Sequence, residues 1–126
     1  MKRVTGLGGV FFKAKDPKKL QEWYFDHLGI EPDDDGTVTF KWLAPDNSNR
    51  KGYTVWAPFP SNTKYFKPSR APFMINFRVD NLEALLKVLK EEGVDVDDRV
   101  EEIEQGKFGW IMDPEGNRIE LWEPPD

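Results

Sequence analysis

Apolar residues recur along this chain with two different spacings, and the change from one spacing to the other occurs twice. Residues 4–14 contain the apolar run Val10-Phe11-Phe12, which predicts a first strand. Residues 73–79 (FMINFRV) alternate between apolar and polar positions, as a half-buried strand does. A stretch with helical spacing follows each of these strands. We therefore expect the same strand–helix order in both halves of the chain.

Both helical stretches have start and stop signals. Asp16 precedes Pro17, a pair that suits a helix start because the carboxylate accepts from free backbone N–H groups. Asp80 has the same place before the second helix. Gly29 and Gly93 predict the helix ends, where a left-handed residue is favoured. The apolar stripes comprise Leu20, Trp23, Tyr24 and Leu28 in the first helix and Leu82, Leu85, Leu86 and Leu89 in the second.

The strands after each helix form an internal repeat. Residues 42–58 (WLAPDNSNRKGYTVWAP) and 110–124 (WIMDPEGNRIELWEP) both open on Trp, pass through a turn rich in Pro, Asp and Asn, and close on Trp-x-Pro. Strands are predicted over 37–43 and 53–56 in the first copy and over 95–104, 108–112 and 118–122 in the second, with turns at 46–49 and 113–117. The repeat predicts two tandem βαβββ modules, over residues 4–58 and 73–124, with a cleft where they meet.

Residues 59–72 connect the two modules and show no clean periodicity. With Pro58 included, this stretch contains four prolines. It is either a plain linker or a segment that folds over the cleft. At 126 residues, both modules and their connection fit within one domain, residues 1–126.

Composition restricts the possible partners. The formal net charge of −5 and the pI near 5.0 disfavour nucleic acid, which requires a basic surface, and suit a neutral or cationic small molecule. The chain has no cysteine, which excludes disulfides and thiolate metal sites. It contains no apolar run long enough for a signal peptide or a membrane span, so we expect a cytoplasmic protein with no membrane partner.

Residues 108–123 (FGWIMDPEGNRIELWE) resemble the closing hairpin of the vicinal oxygen chelate superfamily, which includes glyoxalase I, bleomycin-resistance proteins and extradiol dioxygenases. The glycine-rich first strand, the helix with Trp23-Tyr24 and the helix end His27-Leu28-Gly29 are also similar. The resemblance implies an α+β fold in which two βαβββ modules form one curved mixed sheet around a central cleft, with the helices on the convex side. It also implies a homodimer.

The resemblance further implies four metal-ligand positions, of which this chain retains one. Metal-dependent members hold a divalent cation with His, Glu and Gln side chains on the cleft face, and the aligned positions here are Gly9, Thr54 or a neighbour of it, Met74 and Glu120. Only Glu120 is a competent ligand for a hard divalent cation. We therefore expect no metal and no other cofactor. The single histidine, His27, suits the end of the first helix, and the carboxylates of residues 33–35 suit a solvated loop.

Strand alternation predicts which residues share the cleft face with Glu120. The candidate ligand-binding set is Phe11, Thr54, Trp56, Met74, Asn76, Arg78, Arg118, Glu120 and Trp122. Trp56 and Trp122 have matching places in the repeat, so we expect their indoles on opposite sides of the cavity. A carboxylate buried there without a metal needs an amide or Arg partner, or must bind a proton, and Asn76 and Arg78 are the candidate partners. The same apolar side chains also suit a filled core.

Three functions fit these features. The first is a metal-free protein of the bleomycin-resistance kind, which sequesters an apolar or aromatic small molecule, neutral or cationic, without transforming it. The second is an enzyme, a lyase, isomerase or dioxygenase, with Glu120 as the candidate catalytic general base. The third is a non-catalytic interaction module in which the sheet edges serve oligomerisation.

Overall fold

Seven strands and two helices make up the described part of the chain, which comprises residues 3–44 and 47–125 of the computed structural model. The strands are β1 (Val4–Ala14), β2 (Val38–Ala44), β3 (Asn47–Pro60), β4 (Phe73–Val79), β5 (Asp95–Ile103), β6 (Gly106–Met112) and β7 (Arg118–Glu123). The helices are α1 (Pro17–Leu28) and α2 (Leu82–Glu91). Strand β3 begins inside the turn predicted over residues 46–49, of which Asp46 lies outside the described residues.

All seven strands form one curved, open sheet in the order β2-β3-β1-β4-β7-β6-β5. In each module the first strand pairs in parallel with the last, β1 with β3 and β4 with β7, and the modules meet where β1 and β4 pair antiparallel. This arrangement confirms the α+β fold with two similar modules in one mixed sheet. The first module has only two strands after its helix and lacks the third that a full βαβββ module requires, because residues 29–37 form a loop and a turn before β2.

Helix α2 covers one face of the second module. Its N-cap is Asn81, whose side-chain oxygen accepts from the backbone N–H of Ala84 at 3.1 Å, so the predicted cap Asp80 lies one residue too early. Glu123 of β7 accepts from the backbone N–H of Leu82 at 2.8 Å and ties the helix start to the sheet. The leucine stripe packs on the sheet in a buried cluster formed by Val79, Leu82, Leu85, Leu86 and Leu121.

Helix α1 has the predicted ends but not the packing of α2. Asp16 accepts from the backbone N–H of Lys19 at 3.1 Å, and Gly29 ends the helix in the left-handed region with φ of 68°. None of its residues is buried, and Trp23 and Leu28 are 52% and 61% exposed. Its apolar stripe is therefore covered only in part, with Leu20 and Tyr24 half-buried and Trp23 and Leu28 exposed. Neither helix in the described residues has the length and apolar composition needed to cross a membrane.

The opposite face of the second module carries a second buried cluster, formed by Phe66, Met74 and Trp110. Phe66 belongs to residues 61–72, here termed the connecting segment, which joins β3 to β4 without helix or strand. Because Phe66 packs against Met74 and Trp110, the connecting segment folds over this face of the sheet. Of the two roles left open by the sequence, a plain linker and a cover, the structure shows the cover.

Candidate functional site

Four adjacent strands place Glu120 in the middle of the sheet face beneath the connecting segment. Gly9 of β1, Asn76 of β4, Glu120 of β7 and Trp110 of β6 are register partners in successive strand pairs, so they form a row across the sheet. Residues directly opposite each other on adjacent strands are close neighbours on one face. Glu120 and Asn76 are 1% and 2% exposed. The row therefore brings a carboxylate and an amide together in the protein interior.

Three neutral donors hold the Glu120 carboxylate. Asn76 Nδ2 donates to Oε1 at 2.6 Å, and Trp110 Nε1 donates to Oε2 at 2.9 Å. The hydroxyl of Tyr65, from the connecting segment, also donates to Oε2. The amide partner expected from the sequence is thus present, and it is Asn76. An indole and a phenol complete the set.

Burial raises the pKa of Glu120, because loss of water disfavours the charged carboxylate. The hydrogen bonds from Tyr65, Asn76 and Trp110 and the positive charge of Arg118 oppose this shift without cancelling it. Burial, together with the charge of Glu120, also raises the pKa of Tyr65, so the phenol keeps its proton and remains a donor. An interior carboxyl group with a raised pKa is typical of functional sites.

Arg118 links the connecting segment to the sheet. Its Nη1 donates to the backbone carbonyl of Tyr65, and its Nη2 lies 3.6 Å from Oδ2 of Asp97 on β5. Its Cζ lies 4.9 Å from the ring centre of Trp110. Burial lowers the pKa of Arg118. A cavity of about 270 Å³ adjoins this group and is lined in part by Asp97, Trp110 and Arg118.

The predicted ligand-binding residues fall into two groups and one outlier. The first group surrounds Glu120 or packs against the buried cluster on its face, and it consists of Phe11, Met74, Asn76 and Arg118. The second group surrounds Trp42: the Cζ of Arg78 lies 5.4 Å from the ring centre of Trp42 and 5.6 Å from that of Trp122. Thr54 belongs to this second group, because its hydroxyl accepts from Trp42 Nε1 at 2.9 Å.

Trp56 is the outlier, and it does not face Trp122. Its ring centre lies 4.9 Å from that of Tyr24, so it packs against α1. The expectation of two indoles on opposite sides of one cavity is therefore wrong. The β3 ring beside the buried Trp122 is instead that of Tyr53, at 5.1 Å, because Trp56 is held between Tyr24 of α1 and Phe12 of β1, whose ring centre lies 5.2 Å away.

The groups around Glu120 do not suit the divalent cation that the superfamily's metal-dependent members hold. Trp110 Nε1 and Asn76 Nδ2 both donate to the carboxylate oxygens where a cation would bind, and the indole N–H of Trp110 has no lone pair to offer a cation. The aligned positions Gly9 and Met74 add no side-chain oxygen or nitrogen. Within residues 3–44 and 47–125, no three His, Cys, Asp or Glu side chains are grouped in a way that could hold a metal ion.

Two partners of Glu120, Tyr65 and Trp110, are absent from the residues predicted by sequence. Tyr65 lies in a segment without periodicity, so strand alternation assigns it to no face. The signal that could have found it is the aromatic pair Tyr65-Phe66 within an otherwise polar, proline-containing stretch. Trp110 could have been found by closing the hairpin around the turn at 113–117, which pairs it with Glu120.

Residues 9–122 match the sequence profile of the glyoxalase-like domain family. The chain belongs to this family. The match confirms the resemblance to the vicinal oxygen chelate superfamily that residues 108–123 indicate. No curated protein sequence gives a significant match to the chain.

Solved structures share the fold at low sequence identity. Methylmalonyl-CoA epimerase from Mycobacterium tuberculosis is 24% identical, with a TM-score of 0.60 over 100% of this chain and 92% of that one. The epimerase from Streptomyces coelicolor, in complex with 2-nitronate-propionyl-CoA, is 15% identical, with a TM-score of 0.66 over 98% and 99%. A glyoxalase/bleomycin resistance protein/dioxygenase superfamily member from Vibrio splendidus 12B01 is 15% identical, with a TM-score of 0.58 over 93% and 98%. These likenesses establish the fold alone.

Proposed function

We propose that this chain is a metal-free small-molecule-binding protein of the bleomycin-resistance kind, with its ligand site on the sheet face around Glu120. The supporting observation is the Glu120 carboxylate, which is 1% exposed and held by three neutral donors. Burying an ionisable group costs free energy that an apolar side chain would avoid. A carboxylate kept in the interior at this cost is better explained by ligand recognition than by packing.

The surroundings of Glu120 suit an aromatic or apolar ligand. Phe11, Phe59 and Phe108 are partly buried around the Phe66–Met74–Trp110 cluster on the same face. Apolar walls with a few placed polar groups are typical of small-molecule sites. An ionised Glu120 and the net charge of −5 favour a neutral or cationic ligand over an anion.

Titration of isotope-labelled protein with indole and with N-methylquinolinium tests this proposal. Trp110 donates to Glu120, so its indole N–H signal in nitrogen–proton spectra reports on the site. We expect a saturable shift with at least one compound. Glu120→Gln should weaken N-methylquinolinium binding by at least about tenfold, because it removes the opposing charge. The matched control is Glu115→Gln in the exposed turn, which should bind as wild type does. A Trp110 signal that does not move with either compound would contradict the proposal.

Metal analysis of protein purified without chelator tests the metal-free part of the proposal. We expect well under one divalent ion per chain, because the Glu120 oxygens are already occupied by N–H and O–H donors. One bound ion per chain that disappears in Glu120→Gln would show that the site is a metal site.

The raised pKa of Glu120 favours a second candidate function, an enzyme of the lyase, isomerase or dioxygenase type in which this carboxyl group transfers a proton. A general base works best when its pKa is near the working pH, and burial moves Glu120 in that direction. Chemical conversion of a bound compound by wild type, lost in Glu120→Gln while binding persists, would favour the enzyme. Unchanged recovery of the compound from both proteins would favour the binding protein.

We also propose that the protein is a cytoplasmic homodimer. The exposed apolar side chains of Phe25 and Leu28, three residues apart on α1, provide a surface for a subunit contact, a role that would also serve the third candidate function, oligomerisation. Sedimentation velocity should show a dimer for wild type and a larger monomer fraction for Phe25→Lys. A monomeric wild type at all accessible concentrations would remove this part of the proposal.

A further inference from the structure

Residues of β3, β6 and β7 line the slot that Tyr65 occupies. Its ring stacks on Phe59 of β3, with 5.8 Å between ring centres and an interplanar angle of 8°, and meets Trp110 of β6 edge-on at 6.3 Å. Its hydroxyl donates to Glu120 of β7, and the Cζ of Arg118 lies 6.0 Å from its ring centre. Tyr65 itself comes from the connecting segment, so it is the one member of this arrangement that no strand holds in place.

The residues that line the slot contact both the aromatic ring and the hydroxyl group of a phenol. Phe59 and Trp110 contact the face and the edge of the ring, which are the two favoured geometries for aromatic pairs. Arg118 adds a cation close to the ring. Glu120 accepts from the hydroxyl, and a hydrogen bond to a carboxylate is stronger than one between neutral groups. Four separate contacts thus converge on one hydroxyl-bearing ring.

Tyr65 can leave this slot without unfolding the connecting segment. Its side chain is half-buried, whereas its neighbour Phe66 is fully buried beneath the segment. Phe66 packs against Met74 and Trp110 and so anchors the backbone on the sheet. Rotation of the Tyr65 side chain toward solvent therefore leaves the slot open while Phe66 stays in place.

When a ligand that carries a phenol ring replaces the Tyr65 side chain, the number of hydrogen bonds to Glu120 is unchanged. When Tyr65 leaves, Glu120 loses one of its three donors, and an interior carboxylate with a missing donor is costly. A hydroxyl on an incoming ring restores that donor. A ring without a hydroxyl fills the same space but leaves the lone pair unsatisfied, so the site discriminates against it.

We infer that the ligand class of the Glu120 site is a phenol, an aromatic ring bearing a hydroxyl. The Tyr65 side chain occupies the ligand's position when no ligand is bound. This inference rests on the proposed binding function and names the ligand class for it. Tyr65 and the ligand compete for one slot. The apparent affinity of wild type is therefore lower than the intrinsic affinity of the slot, by the fraction of molecules in which Tyr65 has left it.

The test compares wild type with Tyr65→Ala, each titrated with p-cresol and with toluene. p-Cresol has the structure of the tyrosine side chain, with a methyl group at the position of the Cβ. Toluene is the matched compound without a hydroxyl. The readout is the Trp110 indole N–H signal, assigned with Trp110→Phe. We expect wild type to bind p-cresol at least about tenfold more tightly than toluene. We expect Tyr65→Ala to bind p-cresol at least about tenfold more tightly than wild type, because the competitor is gone.

Each other outcome overturns the inference in a different way. Binding of p-cresol by Tyr65→Ala but not by wild type would show that Tyr65 is a fixed core residue. Equal affinities for p-cresol and toluene would remove the hydroxyl preference and leave the proposed binding function standing. Failure of wild type to bind p-cresol, indole or N-methylquinolinium would overturn both proposals. Should Tyr65→Ala not fold, Tyr65→Phe replaces it: the weakened competitor should tighten p-cresol binding, and an unchanged affinity would overturn the inference.

Discussion

The Asn76 amide can form a hydrogen bond with Glu120 in either protonation state of the carboxyl group. Asn76 Nδ2 donates to Glu120, while Asn76 Oδ1 is buried and has no hydrogen-bond partner among the described residues. An amide offers donors on one side and an acceptor on the other. When Glu120 binds a proton, a half-turn of the Asn76 amide places Oδ1 where it accepts that proton. The same pair therefore suits an ionised and a neutral carboxyl group.

The raised pKa of Glu120 makes stability depend on pH. Above the ordinary carboxyl pKa of 4.5, the folded chain holds this proton more tightly than the unfolded chain does. The free energy of unfolding therefore falls as pH rises through the folded-state pKa. We expect Glu120→Gln to remove this decline and to be at least as stable as wild type at neutral pH, because Gln can donate to the turned Asn76 amide.

Urea unfolding between about pH 5 and pH 8 measures this effect directly, since the slope of stability with pH counts the protons bound on folding. Glu115→Gln, in the exposed turn, is the control and should keep the wild-type profile. Parallel pH profiles for wild type and Glu120→Gln would show that Glu120 does not carry the raised pKa.

Position 8 requires glycine because the side chains of Asn76 and Trp122 occupy the space that a Cβ would need. A Cβ at this position would lie 2.0 Å from Asn76 Oδ1 and 3.0 Å from Trp122 Cε3. We expect Gly8→Ala to lower the free energy of unfolding by about 1–3 kcal/mol, the usual cost of overpacking. Asn76→Ala in the same chain should recover part of that loss, since it removes the closest atom. A double-mutant cycle by urea unfolding measures the coupling. Strictly additive losses would mean that Asn76 does not exclude the Cβ.

At the scale of the element, local signals predicted the helices better than long-range packing. Asp16 and Gly29 act within one turn of chain, so their roles at the ends of α1 follow from sequence alone. Asp80 and Asn81 are both good N-caps, and only the fold decides between them. Periodicity shows where an apolar stripe lies, but whether another element covers it depends on contacts far along the chain. The stripe of α2 is covered, whereas that of α1 is covered only in part.

Matched leucine substitutions in the two helices test this difference. Leu85 on α2 is 2% exposed, and Leu85→Ala should cost about 2–5 kcal/mol, because it leaves a cavity in the buried cluster. Leu28 on α1 is 61% exposed within the chain, and at dilutions where the proposed dimer has dissociated, Leu28→Ala should change stability by no more than about 0.5 kcal/mol. Chemical denaturation followed by circular dichroism gives both values. A loss at Leu28 as large as that at Leu85 under these dilute conditions would mean that Leu28 is not exposed within the chain.

At the scale of the whole molecule, the repeat predicted the paired modules but not the asymmetry between them. Asn76 and Glu120 came together as alternation predicted, because β4 and β7 pair in a regular register. Trp56 and Trp122 did not, because Trp56 packs against Tyr24 of α1 and the β3 ring beside Trp122 is that of Tyr53. Tyr65 reaches the site from the connecting segment, and its position depends on a path over the sheet that no local pattern describes.

The asymmetry between modules should appear in hydrogen exchange. The two buried clusters of the described residues involve the second module and the connecting segment, whereas α1 contributes no buried residue. Amides exchange through local openings whose free energy reflects the burial that holds each element. We therefore expect α1 amides to exchange through openings of lower free energy than α2 amides, which should approach the global free energy of unfolding. Native-state exchange in low denaturant measures both. Equal opening free energies would show that the modules unfold as one unit and that exposure of α1 has no energetic consequence.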